Sequence, residues 1–491
     1  RRVWLAPAAM VPLLFAGCDR CDSDDKQRNK PNIVLISVDT LRRDHIGLYG
    51  TKPSPSPHID RFFAEKAVFE RAISPTPCTE PAVEQYLTGK LGTRSKEPKR
   101  LAEYLSDLDY DTRAVVSQHL FNSEDGPVPA YSRGYRTFDL QSRESNDRHG
   151  LSTRRATEVS DGAIEWLERL AKQDRPFHLW LHYFDPHDPY DPPAGYRLPA
   201  LKDLDGDRRA REAEGAASPD APEPPDGSQP GPSFAPAEVE NFRALYANEV
   251  LYLDHEVNRV LGALERLELL QDTWVVFLAD HGEWLGERGL WDHCQTTHGN
   301  ELFVPLLVHT DERSGRRARR YRKAVSTIDL VPTVLARLGV PQSKAGFYGR
   351  DLFTSPEDRI VHGIWFNEHT LVDASWKLNV YTGREPAPAQ EVGAVATRAD
   401  AAGTASGPGR QGQTRAGLTS RPSADPGPAR QAYSLHDLSS DPGEDRDLSQ
   451  DNPAALARLQ AEAAAHLQEL RAAAQENDRT VERLRSLGYL R

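Results

Sequence analysis

The sequence predicts an α/β protein with a large, mainly parallel sheet sandwiched by helices and a small C-terminal subdomain of antiparallel sheet plus helix. Two observations predict it. The runs Asn32 to Thr40 (NIVLISVDT) and Thr273 to Glu283 (TWVVFLADHGE) are apolar and β-branched without polar alternation, the pattern of a strand covered on both faces. Such runs alternate along the chain with stretches of helical spacing, the order of a parallel sheet with crossover helices. Both runs end in acids, and open α/β sheets place their chemistry just past the carboxyl ends of their strands. Asp39, Asp280 and His281 can therefore converge from remote positions as ligands for a divalent metal. A strand-end turn capped by the Asp is the competing reading.

Residues 1–29 are read as a signal and polar tether. Two arginines, an apolar stretch from Val3 to Ala16 and a Gly-Cys pair resemble a bacterial lipoprotein signal, in which Cys18 would be lipidated. Phe15 departs from the aliphatic residue usual at that place, and the stretch is too short to span a bilayer as a helix. The lipid on Cys18 would be the only membrane attachment. Cys18 and Cys21 form a C-x-x-C outside any βαβ context, which does not suggest a redox or zinc motif.

The large domain is assigned to residues 30–345. Strands are expected at Ala114 to Val116, Phe177 to Tyr183, Trp274 to Ala279 and Pro305 to His309, and helices at Glu158 to Leu170 and Ala237 to Leu270. Asp203 to Pro236 and Glu385 to Pro428 are rich in Pro, Ala, Gly and charge and read as disordered insertions. The C-terminal subdomain, 346–491, should hold three short strands within 360–366, 375–381 and 432–438. A helix should follow, opening at Asn452-Pro453.

A chain of 491 residues is too long for one compact core, which agrees with a large domain and an appendage. The formal charge of −12 is spread along the chain and argues against nucleic acid as a partner. The run Arg313 to Lys323 packs seven cations into eleven residues and reads as a solvated loop before a patch for anionic glycans or head groups. With only four cysteines, no disulfide framework is expected.

Five segments, VDTLRRDHIGLYG (38–50), TEPAVEQYLTG (79–89), HYFDPHDP (182–189), ADHGEWLG (279–286) and STIDLVPTVL (326–335), resemble the sulfatase family of the alkaline phosphatase superfamily, in the family's own order. The resemblance implies that fold and one divalent metal ion, with Ca, Mg, Mn and Zn left open. In sulfatases a Cys in C-x-P-x-R is oxidised to formylglycine and a Thr-Gly follows nine and ten residues later. Counting back from Thr88-Gly89 reaches Thr79, with Pro81 in register. Cys78 is out of register by one, and Val83 replaces the Arg, so the resemblance does not extend to formylglycine. Cys78 is accordingly read as incidental.

Thr can still serve, because a hydroxyl bound to a divalent metal loses proton affinity and becomes a nucleophile near neutral pH. Lipoteichoic acid synthases and phosphoethanolamine transferases are similar in using an acid, a Thr, an Asp and a His, which implies Asp39, Thr79, Asp280 and His281 as the metal set here. A Thr79 that only caps the helix Glu80 to Leu87 is the alternative. The departures Thr40 and His281, where sulfatases carry a second acid and often an Asn, imply an altered metal shell. Resemblance also implies catalytic roles for His187 and His293 at the anion or leaving group, and for His119, with His298 and Asp188 as weaker candidates.

The expected activity is metal-dependent cleavage of a sulfate or phosphate ester in a small molecule, glycan or lipid head group, through Thr79, in the cell envelope facing the periplasm or exterior. Phosphoryl transfer, or a catalytically silent anion- or glycan-binding lipoprotein, are the alternatives.

Overall fold

A computed structural model describes residues 30–91, 98–117, 130–140, 147–148, 151–196, 234–311, 319–342, 346–366, 368–381 and 433–475. The lipoprotein signal, His119 and most of both insertions lie outside the described residues.

The main sheet has eight strands. They are β1 (Asn32–Val38), β2 (Ala67–Ile73), β3 (Asp111–Val116), β4 (Thr137–Asp139), β5 (Phe177–Tyr183), β6 (Thr273–Ala279), β7 (Leu306–His309) and β8 (Arg319–Ser326), in the spatial order β8-β2-β7-β6-β1-β5-β3-β4. Only β7 runs antiparallel to its neighbours, β2 and β6. β5 and β6 are buried at every residue and β1 nearly so, which is why these runs lack polar alternation. Each fully covered Val, Leu or Ile contributes about 1.5–3 kcal/mol, so a central strand built of them outweighs any local preference.

Register positions the chemistry. Val38 of β1 pairs with Tyr183 of β5 on one side and Ala279 of β6 on the other. The next residues, Asp39 and Asp280, therefore leave the sheet side by side, tied by Asp39 N–H to the Tyr183 carbonyl (2.9 Å) and Asp280 N–H to that of Val38 (3.1 Å).

Helices pack on this sheet. Relevant here are α1 (Thr79–Thr88), α2 (Ala156–Leu170), α3 (Pro236–Arg266) and α4 (Leu330–Arg337); α2 lies on β3, β5 and α3, and α1 packs against α4. From α3, the Tyr246 hydroxyl donates to the Thr40 carbonyl (2.8 Å) and accepts from Arg42 N–H (2.9 Å), holding the loop after Asp39.

A second, antiparallel sheet follows: β9 (Val361–Trp365), β10 (Glu368–Val372), β11 (Trp376–Tyr381) and β12 (Tyr433–Asp437), backed by α5 (Pro453–Gln475). Here the structure corrects the sequence reading, because four strands stand where three were expected. The fourth, EHTLV, begins with Glu and His and carries no long apolar run. β2 was likewise not anticipated, since Glu70 and Arg71 interrupt it. The basic run is not simply a loop. Its part from Arg319 onward is edge strand β8, whose exposed Arg320 and Arg322 pair with Glu70, as charged edges resist further strand pairing. Among the described residues no helix is long and apolar enough to cross a membrane.

Candidate active site

Thr79 is the first residue of α1, preceded by Cys78 as the cap position, and no side chain caps that helix end. The capping alternative therefore fails. The Thr79 hydroxyl instead points into the sheet edge, 3.0 Å from His281 Nε2 and 3.4 Å from Asp39 Oδ1. His281 Nε2 lies 3.8 Å from Asp39 Oδ1 and 3.7 Å from Asp280 Oδ2. The structure thus brings Asp39, Thr79, Asp280 and His281 together, all buried.

Local hydrogen bonds aim these groups. His281 Nδ1–H donates to the Gly282 carbonyl (2.9 Å), which fixes the tautomer and leaves Nε2 as a bare lone pair facing the cluster. Asp280 Oδ1 accepts from Thr40 N–H (3.2 Å) and His281 N–H (2.7 Å). Thr40 reaches that position with φ of 54°, left-handed backbone that costs a β-branched residue about 1–3 kcal/mol. Gly282 allows the same loop to pass close to its neighbour, since a Cβ there would run into the Asn300 carbonyl.

A divalent cation fits this donor set. Asp280 Oδ2 is buried with no hydrogen-bond partner among the described residues, although its other oxygen is doubly satisfied. Burial raises the Asp39 carboxyl well above its ordinary range, with the charges of Asp280 and Glu283 adding to the rise. Burial also pushes Asp280 up to about 7. Two buried carboxylates beside a neutral imidazole lack a compensating charge, which a hard or borderline dication supplies. His182 joins them: on β5, its ligating nitrogen and single oxygens of Asp39 and Asp280 lie within 4.8 Å of one another. Ser37 Oγ holds its Nδ1 at 2.9 Å.

His293 stacks on His281 with ring centroids 4.7 Å apart, and His187 stands edge-on to His293 at 5.1 Å. Asp292 Oδ1 lies 2.5 Å from His293 Nδ1. Burial works against the charged form of His293, but the Asp292 hydrogen bond and charge outweigh it and raise its pKa. Burial and the neighbouring His293 hold His187 at about 4. His187 Nδ1–H donates to the Asp188 carbonyl (2.5 Å), while the Asp188 side chain is exposed. His298 does not join the cluster; its Nδ1 accepts from Asn300 N–H (3.1 Å), capping a short turn.

Three features escaped the sequence reading. His182 is the penultimate residue of a central strand, inside the apolar run rather than just past it as Asp39 and Asp280 are, so the strand-end rule passes it over. Glu283 is buried beside the same edge, its carboxyl raised well above the ordinary range by burial. Most consequential, Cys78 and Cys294 form a disulfide across a sequence separation of 216 residues, contrary to the reading of Cys78 as incidental in a chain without a disulfide framework. The bridge ties the start of α1, one residue before Thr79, to the loop carrying His293. Cys294 N–H also donates to the Pro77 carbonyl (3.0 Å), and Trp365 Nε1 donates to the Cys294 carbonyl (2.8 Å).

A family profile described as Sulfatase matches residues 31–340. The chain belongs to the sulfatase family. One relative is the uncharacterized sulfatase YidJ of Escherichia coli, 26% identical over 347 residues, covering 62% of this chain and 67% of that one. Among solved structures, the phosphonate monoester hydrolase of Agrobacterium radiobacter superposes with a TM-score of 0.60 at 17% identity, over 90% of this chain and 96% of the other. A protein solved in complex with its substrate D-glucosamine-2-N,6-O-disulfate superposes with a TM-score of 0.58 at 16% identity, over 92% and 99% of the two chains. This sulfatase-family chain has the family's α/β fold and is an ester hydrolase.

Proposed function

We propose that this hydrolase cleaves its ester through the hydroxyl of Thr79, with a preference for phosphate over sulfate. The observation that carries the reading is the Thr79 hydroxyl itself. It is unused as a cap, 3.0 Å from His281 Nε2 and 3.4 Å from Asp39 Oδ1, at the register position that the family gives to its nucleophile. Asp39, Asp280 and His281 would hold one divalent ion together with Thr79, with His182 as a further donor. Such an ion lowers the proton affinity of a nearby hydroxyl and screens the anionic ester.

The chain's own side chains supply the rest. Thr79 Oγ1 attacks phosphorus or sulfur in line with the leaving oxygen, and its proton has Asp39 Oδ1 as an acceptor in reach, since the Nε2 lone pair of His281 would be committed to the ion. His293, oriented by Asp292, stands where a nonbridging oxygen of the ester would lie. Protonation of the leaving oxygen falls to His119 or to His187. The Nδ1–H of His187 is held by the Asp188 carbonyl, and burial with His293 keeps the ring neutral in the free protein. His187 would therefore first take up a proton on Nε2 as the anionic ester binds beside it. Water, or an acceptor alcohol, then releases the covalent intermediate from Thr79.

The phosphate preference rests on Thr79 occupying the formylglycine position, with Val83 where the motif has Arg. A relative's disulfated glucosamine substrate keeps sulfated sugars as the second substrate class. The disulfide favours an oxidising compartment, in accord with an envelope location and a lipidated Cys18. The test is turnover of chromogenic sulfate, phosphate monoester and phosphate diester substrates by the purified protein with Mn, Zn, Ca or Mg. Phosphate turnover is expected to exceed sulfate turnover; activity on sulfate alone would overturn the preference.

A further inference from the structure

Three buried histidines lie outside the site described above. His362 on β9 and His369 on β10 are diagonal neighbours across the hairpin, because His362 pairs with Leu371 and His369 stands two residues before it on the same face. His466 reaches them from α5. That helix docks on the small sheet through Leu459 and Ala463, against Leu371, Leu378 and Leu435. Position 466 is the next to face the sheet, seven residues after Leu459. The three rings are mutually close, with centroids 4.0 Å apart for His362 and His466 and 5.2 Å for each other pair.

A purely apolar seam would place Leu or Ala here, as the same helix does one turn earlier. Three imidazoles instead leave the polar groups incompletely satisfied. His362 Nδ1 and His369 Nε2 are 3.0 Å apart and can share one hydrogen. His369 Nδ1 then remains buried with no hydrogen-bond partner among the described residues, whichever tautomer is present.

One nitrogen from each ring can be chosen so that all three lie within 4.8 Å of one another. Tetrahedral zinc with Zn–N bonds of about 2.0–2.1 Å sets its donors about 3.3 Å apart, so small ring movements suffice. The Tyr348 hydroxyl lies 3.0 Å from His466 Nδ1. It supplies the outer hydrogen bond that orients a ligating imidazole.

We propose that His362, His369 and His466 form a second metal site, for zinc or a similar borderline dication, that pins α5 to the C-terminal sheet. Its donors are neutral nitrogens from three elements, whereas the first site is carboxylate-rich. The role is structural, since no carboxylate and no nucleophile is among its donors.

The test uses the full chain, stripped with chelator and then equilibrated with zinc ion alone. Asp39→Asn combined with Asp280→Asn disables the first site, so zinc retained by that double variant reports on the second. About one equivalent should remain, and added zinc should raise its thermal midpoint. Adding His369→Gln should abolish both the retained equivalent and the shift. No zinc in the double variant, or an unchanged equivalent after His369→Gln, would overturn the proposal. Should the His369→Gln protein fail to fold, cobalt substitution of the double variant decides the matter. An intense tetrahedral absorption band supports the site, and a weak octahedral spectrum or none refutes it. A failure of the Thr79 reading would show in turnover and leave these readouts unchanged.

Discussion

Opening the Cys78–Cys294 bridge should weaken both stability and catalysis, by different routes. The bridge closes a loop of 216 residues. In the chain-entropy model that constraint removes about 18 cal/mol/K from the unfolded ensemble, or about 5 kcal/mol at room temperature. For a chain of 491 residues, with an unfolding entropy of about 2 cal/mol/K per residue, the loss lowers the thermal midpoint by about 5 °C. Catalysis suffers because the bridge fixes the start of α1, and so Thr79, against the loop carrying His293. A displacement on the order of 1 Å between such groups costs up to about 100-fold in rate. The assay compares wild type, wild type with reductant, and Cys78→Ser/Cys294→Ser, by thermal unfolding, by turnover and by thiol titration in denaturant. With Cys18 and Cys21 as the remaining cysteines, the unreduced protein should release no more than two thiols on denaturation. Equal midpoints and rates with and without reductant, or more than two thiols released from the untreated protein, would refute the reasoning.

Thr79→Ala should lower turnover by at least about 1000-fold while changing stability by less than about 1 kcal/mol, because the side chain caps nothing; Thr79→Ser should keep part of the activity. Asp280→Asn should reduce bound metal and activity together with the circular dichroism spectrum unchanged, and an unaltered metal-to-protein ratio by elemental analysis would count against the ligand role. Lys377 is buried with both Glu444 oxygens at 2.6 Å and the Thr297 carbonyl at 2.8 Å from its Nζ. Lys377→Met should therefore destabilise the protein by about 3–5 kcal/mol in denaturant unfolding by leaving a buried carboxylate unpaired, and adding Glu444→Leu should recover much of the loss.

The fold was legible where burial overrides everything else. β1, β5 and β6 lie at the sheet centre, so both faces demand apolar side chains and the sequence shows them as unbroken runs. β2 and β8 carry Glu70, Arg71 and a row of arginines toward the sheet edge. There, Glu70 pairs with the exposed Arg320 and Arg322, and Arg71 donates to the Ala374 carbonyl (3.0 Å), so polar side chains break the apolar signal along an otherwise extended strand. β10 is short and begins with polar residues whose partners, such as Thr297 for Glu368, lie far away in sequence.

The site divides in the same way. Asp39, Asp280 and His281 announce themselves by ending apolar runs, and Thr79 by its distance from Thr88-Gly89. His182 sits inside such a run and reads as core. The cysteine pair has no local signature at all, because its partners meet only through the positions of α1 and the loop after β6. The same holds for His362, His369 and His466, which only the docking of α5 on its sheet brings together.

Mass spectrometry of the protein trapped with a slow phosphate ester tests the Thr79 assignment most directly. Peptide mapping should place a phosphoryl adduct on Thr79 and find Cys78 linked to Cys294. A formylglycine mass at position 78, or an adduct on any other residue, would contradict it.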